Sequence, residues 1–273
     1  MPRIRKPVFA GTFYPQEPDQ LESLLTSLFQ SLSKQEPLPS TKGLISPHAG
    51  YVFSGKTAAY SFDSVKGLRP QTIIIIGPSH RVPFRGISVF EGDYYETPLG
   101  KVAINTDLVK KLHANNPLIC FLDQAHSQEH SIEVEIPFLQ HIYSHPFKVV
   151  GVVMGNQDQE SVDILTRALL SECDKEKSLI IASSDLSHFY KAETAEQMDR
   201  KALDLIHTGE MDQFYKDNTT GAIQCCGYGP IMVTNNVVKD WGANKCIERH
   251  YCHSGGVSGD FSSVVGYGSV VYY

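Results

Sequence analysis

The chain has 273 residues, 41% of them hydrophobic, and a formal charge of −6 with acidic and basic side chains interspersed. This composition argues for a soluble globular chain over disorder and lacks the basic footprint of a nucleic-acid binder. No run approaches the roughly 18 apolar residues of a bilayer span, and the basic start Met1–Pro7 lacks the apolar core of a signal peptide, so no membrane partner and a cytoplasmic location are expected.

Six cysteines without a secretion signal or a C-x-x-C pair do not suggest a disulfide framework, a zinc ribbon or a thioredoxin site. Cys225 and Cys226 are adjacent, a geometry poorly suited to a relaxed mutual disulfide. Thiolate chemistry is the better use for either.

In chain order, Pro18-Asp19 opens a helix whose Leu21, Leu24, Leu25, Leu28, Phe29 and Leu32 form one apolar stripe. A loop with Pro37 and Pro39 leads to the strand Gly43–Ser46, followed by Pro47-His48, and Ser54 is expected to cap a helix over Gly55–Val65. The run Thr72–Ile76 holds four consecutive isoleucines, which reads as a strand buried on both faces of a parallel sheet. It ends in Gly77-Pro78-Ser79-His80. Short β-prone pieces at 87–90 and 101–104 form a small antiparallel excursion, and Thr106 or Asp107 is expected to cap a helix through His113. Asp123–Glu135 concentrates Asp123, His126, Glu129, His130, Glu133 and Glu135 ahead of a helical stretch to Tyr143. A buried strand at 147–154, a helix at 159–173 and a third apolar strand at 178–182 follow, the last leading into Ser183-Ser184-Asp185-Leu186-Ser187-His188. Helices at 192–207, 211–217 and 230–241 and two β-prone tails at 245–251 and 264–272 close the chain. The alternation predicts an α/β fold, residues 1–273 as one layered sandwich domain with a central, largely parallel or mixed sheet flanked by helices.

Ligands of open α/β sheets bind beyond the carboxyl ends of the strands, and three apolar strands deliver His48, His80 and the Asp185/His188 pair to such ends. Each turn histidine alone is equally well explained by a backbone hydrogen bond. Together, in Pro-containing turns after buried strands, they point to imidazoles fixed toward a common metal ion. A third ligand would come from Asp185, His188, the acidic cluster or a cysteine. Two histidines and a carboxylate suit non-haem Fe(II), whereas a thiolate favours softer binding, with zinc or copper admissible. The Asp185–His188 turn reads either as an N-cap cluster for the next helix or as an acid/base, His188, oriented by Asp185. Neither Ser79 nor Ser184 sits in Gly-x-Ser-x-Gly, so a hydrolase elbow is not supported.

The ordered motifs Ser46-Pro47-His48-Ala49-Gly50-Tyr51, Gly77-Pro78-Ser79-His80, Glu129-His130-Ser131-Ile132-Glu133, Ser183–His188 and Cys226-Gly227-Tyr228-Gly229-Pro230 resemble the Memo family, whose members look like relatives of the class III extradiol ring-cleaving dioxygenases. The resemblance spans essentially the whole chain. It implies an α/β sandwich with a metal site at the strand ends, His48, His80 and Cys226 as ligands, and His188, Asp185 and His130 as the catalytic groups lining the pocket. Tyr51, Ser79 and Glu133, in the same motifs, are expected to line that pocket too. Two departures matter: the ring-cleaving relatives carry a carboxylate where Cys226 falls, and the family pattern Cys-Gly-Arg-His-Pro lacks its arginine here. The expectation is a metal-binding redox protein, with Fe(II) first and zinc or copper as alternatives, acting on an unidentified small-molecule or peptide ligand. A peptide- or protein-binding module that keeps the ancestral pocket, and a zinc-dependent hydrolase, are the competing readings.

Overall fold

The computed structural model describes residues 2–273. Its elements run β1 (Ile4–Arg5), α1 (Pro18–Gln30), β2 (Gly43–Ser46), α2 (Tyr51–Asp63), β3 (Thr72–Pro78), β4 (Ile87–Val89), β5 (Tyr94–Thr97) and β6 (Gly100–Ile104). Then come α3 (Thr106–Asn115), β7 (Ile119–Cys120), α4 (Asp123–Ser127), a 3₁₀ turn at Glu133–Glu135, α5 (Ile136–Ile142), β8 (Lys148–Met154), α6 (Gln159–Glu172) and β9 (Ser178–Ser183). The chain ends with β10 (His188–Tyr190), α7 (Ala192–Thr208), α8 (Met211–Thr220), α9 (Tyr228–Asp240), β11 (Cys246–His253), α10 (Gly255–Ser258) and β12 (Val264–Tyr272).

The isoleucine run sits at the centre, as its sequence requires. β3 pairs in parallel with β8 on one side and β9 on the other, and Ile73–Ile76 are all fully buried. Burying each such side chain contributes about 1.5–3 kcal/mol. The order β1-β5-β6-β8-β3-β9-β2-β12-β10 completes a mixed 12-stranded sheet in which β11 joins β12 and β4 joins β7 and β8. Helices α1, α2 and α5 pack together on one face, and α3, α6 and α9 on the other. The result is the layered α/β sandwich that the alternating pattern predicts.

Three differences from the sequence reading follow from local chemistry. α2 starts at Tyr51, directly after the histidine turn, and Ser54 lies inside it with Oγ donating to the Ala49 carbonyl at 3.0 Å instead of capping. Asn105, not Thr106 or Asp107, caps α3, because its side chain reaches the Leu108 N–H. The Asp185–His188 turn is no cap either: β10 intervenes before α7, which begins after Lys191 without a side-chain cap.

The N-terminal segment is fastened by one buried ion pair. Arg5, 6% exposed, pairs with Glu133, 1% exposed, and also donates to the carbonyls of His126 at 3.1 Å and Glu129 at 2.9 Å. Glu133 Oε1 further accepts from the Phe9 N–H at 2.8 Å and the Tyr14 hydroxyl at 2.6 Å. With every lone pair engaged, the desolvation of both charges is offset.

Candidate metal centre

β2, β3 and β9 lie side by side and parallel, so their carboxyl ends open on one rim. His48 follows β2, His80 follows β3, and Ser183 ends β9. The loop before α9 brings Cys226 to the same place. One donor atom from each of His48, His80 and Cys226 lies within 4.8 Å of the others. Bonds of about 2.0–2.3 Å would set tetrahedral ligand atoms about 3.5 Å apart. The three side chains are therefore within a rotamer adjustment of a ligand set.

Hydrogen inventory assigns both imidazoles. Ser183 Oγ lies 2.6 Å from the Ser131 carbonyl, which can only accept, so the hydroxyl hydrogen points there. His48 Nδ1, 2.8 Å from that same Oγ, must then carry the hydrogen it donates. His80 Nδ1 likewise donates to Glu129 Oε1 at 2.8 Å. His48, whose proton affinity burial lowers, thus keeps Nε2 unprotonated, and that Nε2 faces Cys226 Sγ at 3.1 Å. An outer tier of this kind is what orients and tunes metal-ligating histidines.

Residues 5–271 match the Memo-like protein family. The chain belongs to that family. MEMO1 family proteins of Thermoplasma volcanium, 37% identical over 268 residues with 98% of each chain covered, and of Nitrosopumilus maritimus, 34% identical over 273 residues with 98% of this chain and 99% of the other covered, are among its relatives. An uncharacterized Escherichia coli K12 protein of known crystal structure shares the fold alone, at a TM-score of 0.54 and 12% identity over 85% of this chain and 99% of the other.

In this Memo-like rim burial keeps the ligand-type side chains neutral. Burial, then the neighbouring His130 and His80, lowers the proton affinity of His48. Burial and the Asp185 charge push the Cys226 thiol up. Without a cation the thiol keeps its proton. A bound metal reverses that balance by taking the thiolate and releasing the proton.

His130 stacks on His80 with ring centroids 4.4 Å apart and stands 5.1 Å from His48. Burial brings its pKa down to about 4, so it is neutral near pH 7. His188, half-buried, is also lowered by burial, with His80 adding to the effect. Both flank the metal position as neutral bases. A second grouping of His80, Glu129 and His130 has donor atoms equally close, but Glu129 already accepts from His80 Nδ1, the His80 N–H and the Ser131 N–H. Those bonds make it the group that orients His80.

Several expectations change. Asp185 does not orient His188: its Oδ1 accepts from the His48 N–H at 2.8 Å, because the parallel β2 and β9 bring the two turns together. Tyr51 is a core residue, with its hydroxyl on the Val134 carbonyl at 2.6 Å and its ring against Phe138 and Tyr14. Glu133 serves Arg5 and the N-terminal backbone, away from the rim. Ser79 closes its own turn by donating to the Val82 carbonyl at 2.7 Å. Of the two adjacent cysteines, Cys226 faces the rim and Cys225, 3% exposed, enters the core. Tyr228 opens α9 and packs near Tyr215 at 6.2 Å.

Sequence reasoning missed the supports. Gln157 donates to the Cys226 carbonyl and accepts from the Gly229 N–H, both at 2.8 Å, which holds the cysteine loop. Gly227 lets that loop touch β9, since a Cβ there would sit 2.6 Å from the Ser183 carbonyl. Nothing short of three-dimensional contact signals Gln157, and the Ser183–His188 motif marks Ser183 without showing that it meets His48. Beside His80 and His130 a groove of about 620 Å³ opens, lined by Phe9, Arg81, Val82, Gln124, Ser127 and Gln128. Phe9 meets the His130 ring at 5.5 Å and joins the groove to the rim.

Proposed function

We propose that His48, His80 and Cys226 hold a redox-active transition metal, Fe(II) before zinc or copper, and that the protein is an oxidoreductase acting on a small organic ligand with O₂. This keeps the resemblance to the class III extradiol dioxygenases as its chemical analogy. The observation that carries it is the pair of Nδ1-anchored imidazoles that converge with a thiol at strand ends, one donor atom of each within 4.8 Å of the others. Such an ion would supply Lewis acidity and one-electron chemistry. The chain's residues do the rest. His130 and His188, both neutral, can take or return a proton of the ligand. Phe9 and Phe13 shield His130 from water at 5.5 and 4.9 Å. The adjoining groove offers room for the ligand body, with Arg81 at its edge.

Anaerobic purification, elemental analysis and O₂ uptake test the reading. Iron near one ion per chain with O₂ uptake is expected; tight zinc with ester or amide turnover would overturn it. Cys226→Glu should shift preference from softer metals toward iron. His188→Ala should retain the metal and lower turnover by about 10²–10⁴-fold. Unchanged turnover in that variant would return His188 to a structural role.

A second reading, a rim that binds a protein or peptide, is favoured by Phe189. It follows His188, is 76% exposed, and is the one non-glycine among the described residues with positive φ, at +65°. An exposed bulky residue in that conformation signals local strain. A partner captured equally by metal-free and metal-loaded protein would put this reading first.

A further inference from the structure

Beneath the rim, Glu135 is fully buried at the start of α5, and no cation pairs with it among the described residues. Its Oε1 lies 2.9 Å from Ser183 Oγ, and its Oε2 has no partner. Ser183 owns a single hydrogen, and the Ser131 carbonyl at 2.6 Å claims it. The same Oγ accepts from His48 Nδ1 at 2.8 Å. Two oxygens at 2.9 Å with no hydrogen between them would repel, so the hydrogen in this contact must come from Glu135.

We propose that Glu135 is held as a neutral carboxylic acid and, through Ser183, is a positioning residue that fixes His48 with Nδ1 protonated and the Nε2 lone pair facing the metal position. The metal half of this statement rests on the function proposed above; the protonation and tautomer do not. Burial supports it by pushing the carboxyl up to about 8, with the Asp185 charge adding and Ser46 and Ser183 opposing. The relay runs Glu135 to Ser183 to His48, each contact 2.9 Å or shorter. A neutral acid donates to Ser183 and so leaves its one hydrogen for the Ser131 carbonyl, and Ser183 then accepts from His48. An ionised carboxylate would instead compete with Ser131 for the hydroxyl hydrogen.

Infrared difference spectra of the metal-free protein at neutral pH, wild type minus Glu135→Gln, should show one carboxylic-acid carbonyl band belonging to Glu135. No such band overturns the proposal. Nitrogen-15 NMR of His48 should report the Nδ1–H tautomer in wild type and in Glu135→Gln, whose amide can still donate to Ser183. Ser183→Ala should yield a mixture of tautomers; a single unchanged tautomer there breaks the relay. These readouts need no metal, so they fail separately from the metal reading. Zinc affinity, as a functional arm, should stay within about twofold in Glu135→Gln and fall about tenfold in Ser183→Ala and Glu135→Leu. Equal affinity in all four proteins would show that Glu135 does not act on the ligand. Should Glu135→Leu fail to fold, the Glu135→Gln spectrum still decides.

Discussion

Replacing His80 by alanine is expected to cost more metal affinity than the about 10–100-fold typical of outer-tier changes, because a donor atom itself is lost. His80 is the cleaner of the two imidazole tests. Its side chain is 27% exposed and follows the end of β3, so little core is disturbed. His48→Ala should lose as much metal but also some stability, since His48 is 1% exposed and its bond to Ser183 is worth about 1 kcal/mol. The pH dependence has a definite sign. Burial raises the Cys226 thiol, and metal binding must expel its proton, so affinity should rise by about tenfold per pH unit while the thiol is protonated. Cys226→Ser should flatten that slope. Competition titrations with a chelator check all three variants, and full occupancy in His80→Ala would remove the imidazole from the ligand set.

The second large effect is structural. Glu133→Ala leaves the Arg5 guanidinium charged and buried, together with the Phe9 N–H and Tyr14 hydroxyl that Glu133 satisfied. Breaking a buried pair in this way costs about 3–5 kcal/mol, which for a chain of this size is a fall of about 10 °C in Tm. Glu133→Gln keeps an acceptor oxygen and the packing, and should lose about half as much. Arg5 also holds the carbonyl of Glu129, the residue that orients His80, so Glu133→Ala should weaken metal binding as well. Denaturant unfolding and metal titration measure the two consequences. A loss below about 1 kcal/mol would mean that water reaches the pair and the N-terminal clasp is not closed.

Much of this protein is written in local patterns. Four consecutive isoleucines can only be covered on both sides, so β3 and its neighbours are legible in the sequence itself. Turn histidines placed directly after such strands necessarily arrive at a carboxyl rim, which is why His48 and His80 stand out in the sequence. The ordered motifs likewise carried the family, since five short matches in one order constrain the whole chain.

The tertiary structure decided what residues close in sequence do differently. Glu129, Glu133 and Glu135 lie within seven positions, yet one orients His80, one binds Arg5 and one lies under Ser183. Sequence shows only an acidic cluster, because the turn between Glu129 and α5 sends successive carboxyls in different directions. The same holds for Cys225 and Cys226, where one residue of register separates core from rim. Asp185 looked like a partner for His188, three positions away. The parallel pairing of β2 with β9 gave it to His48 instead, 137 positions distant. Local sequence determines which segments are strands, helices and turns through burial and backbone preference. Which side chain meets which donor is set by hydrogen bonds between strands far apart in the chain, and only the assembled sheet fixes those.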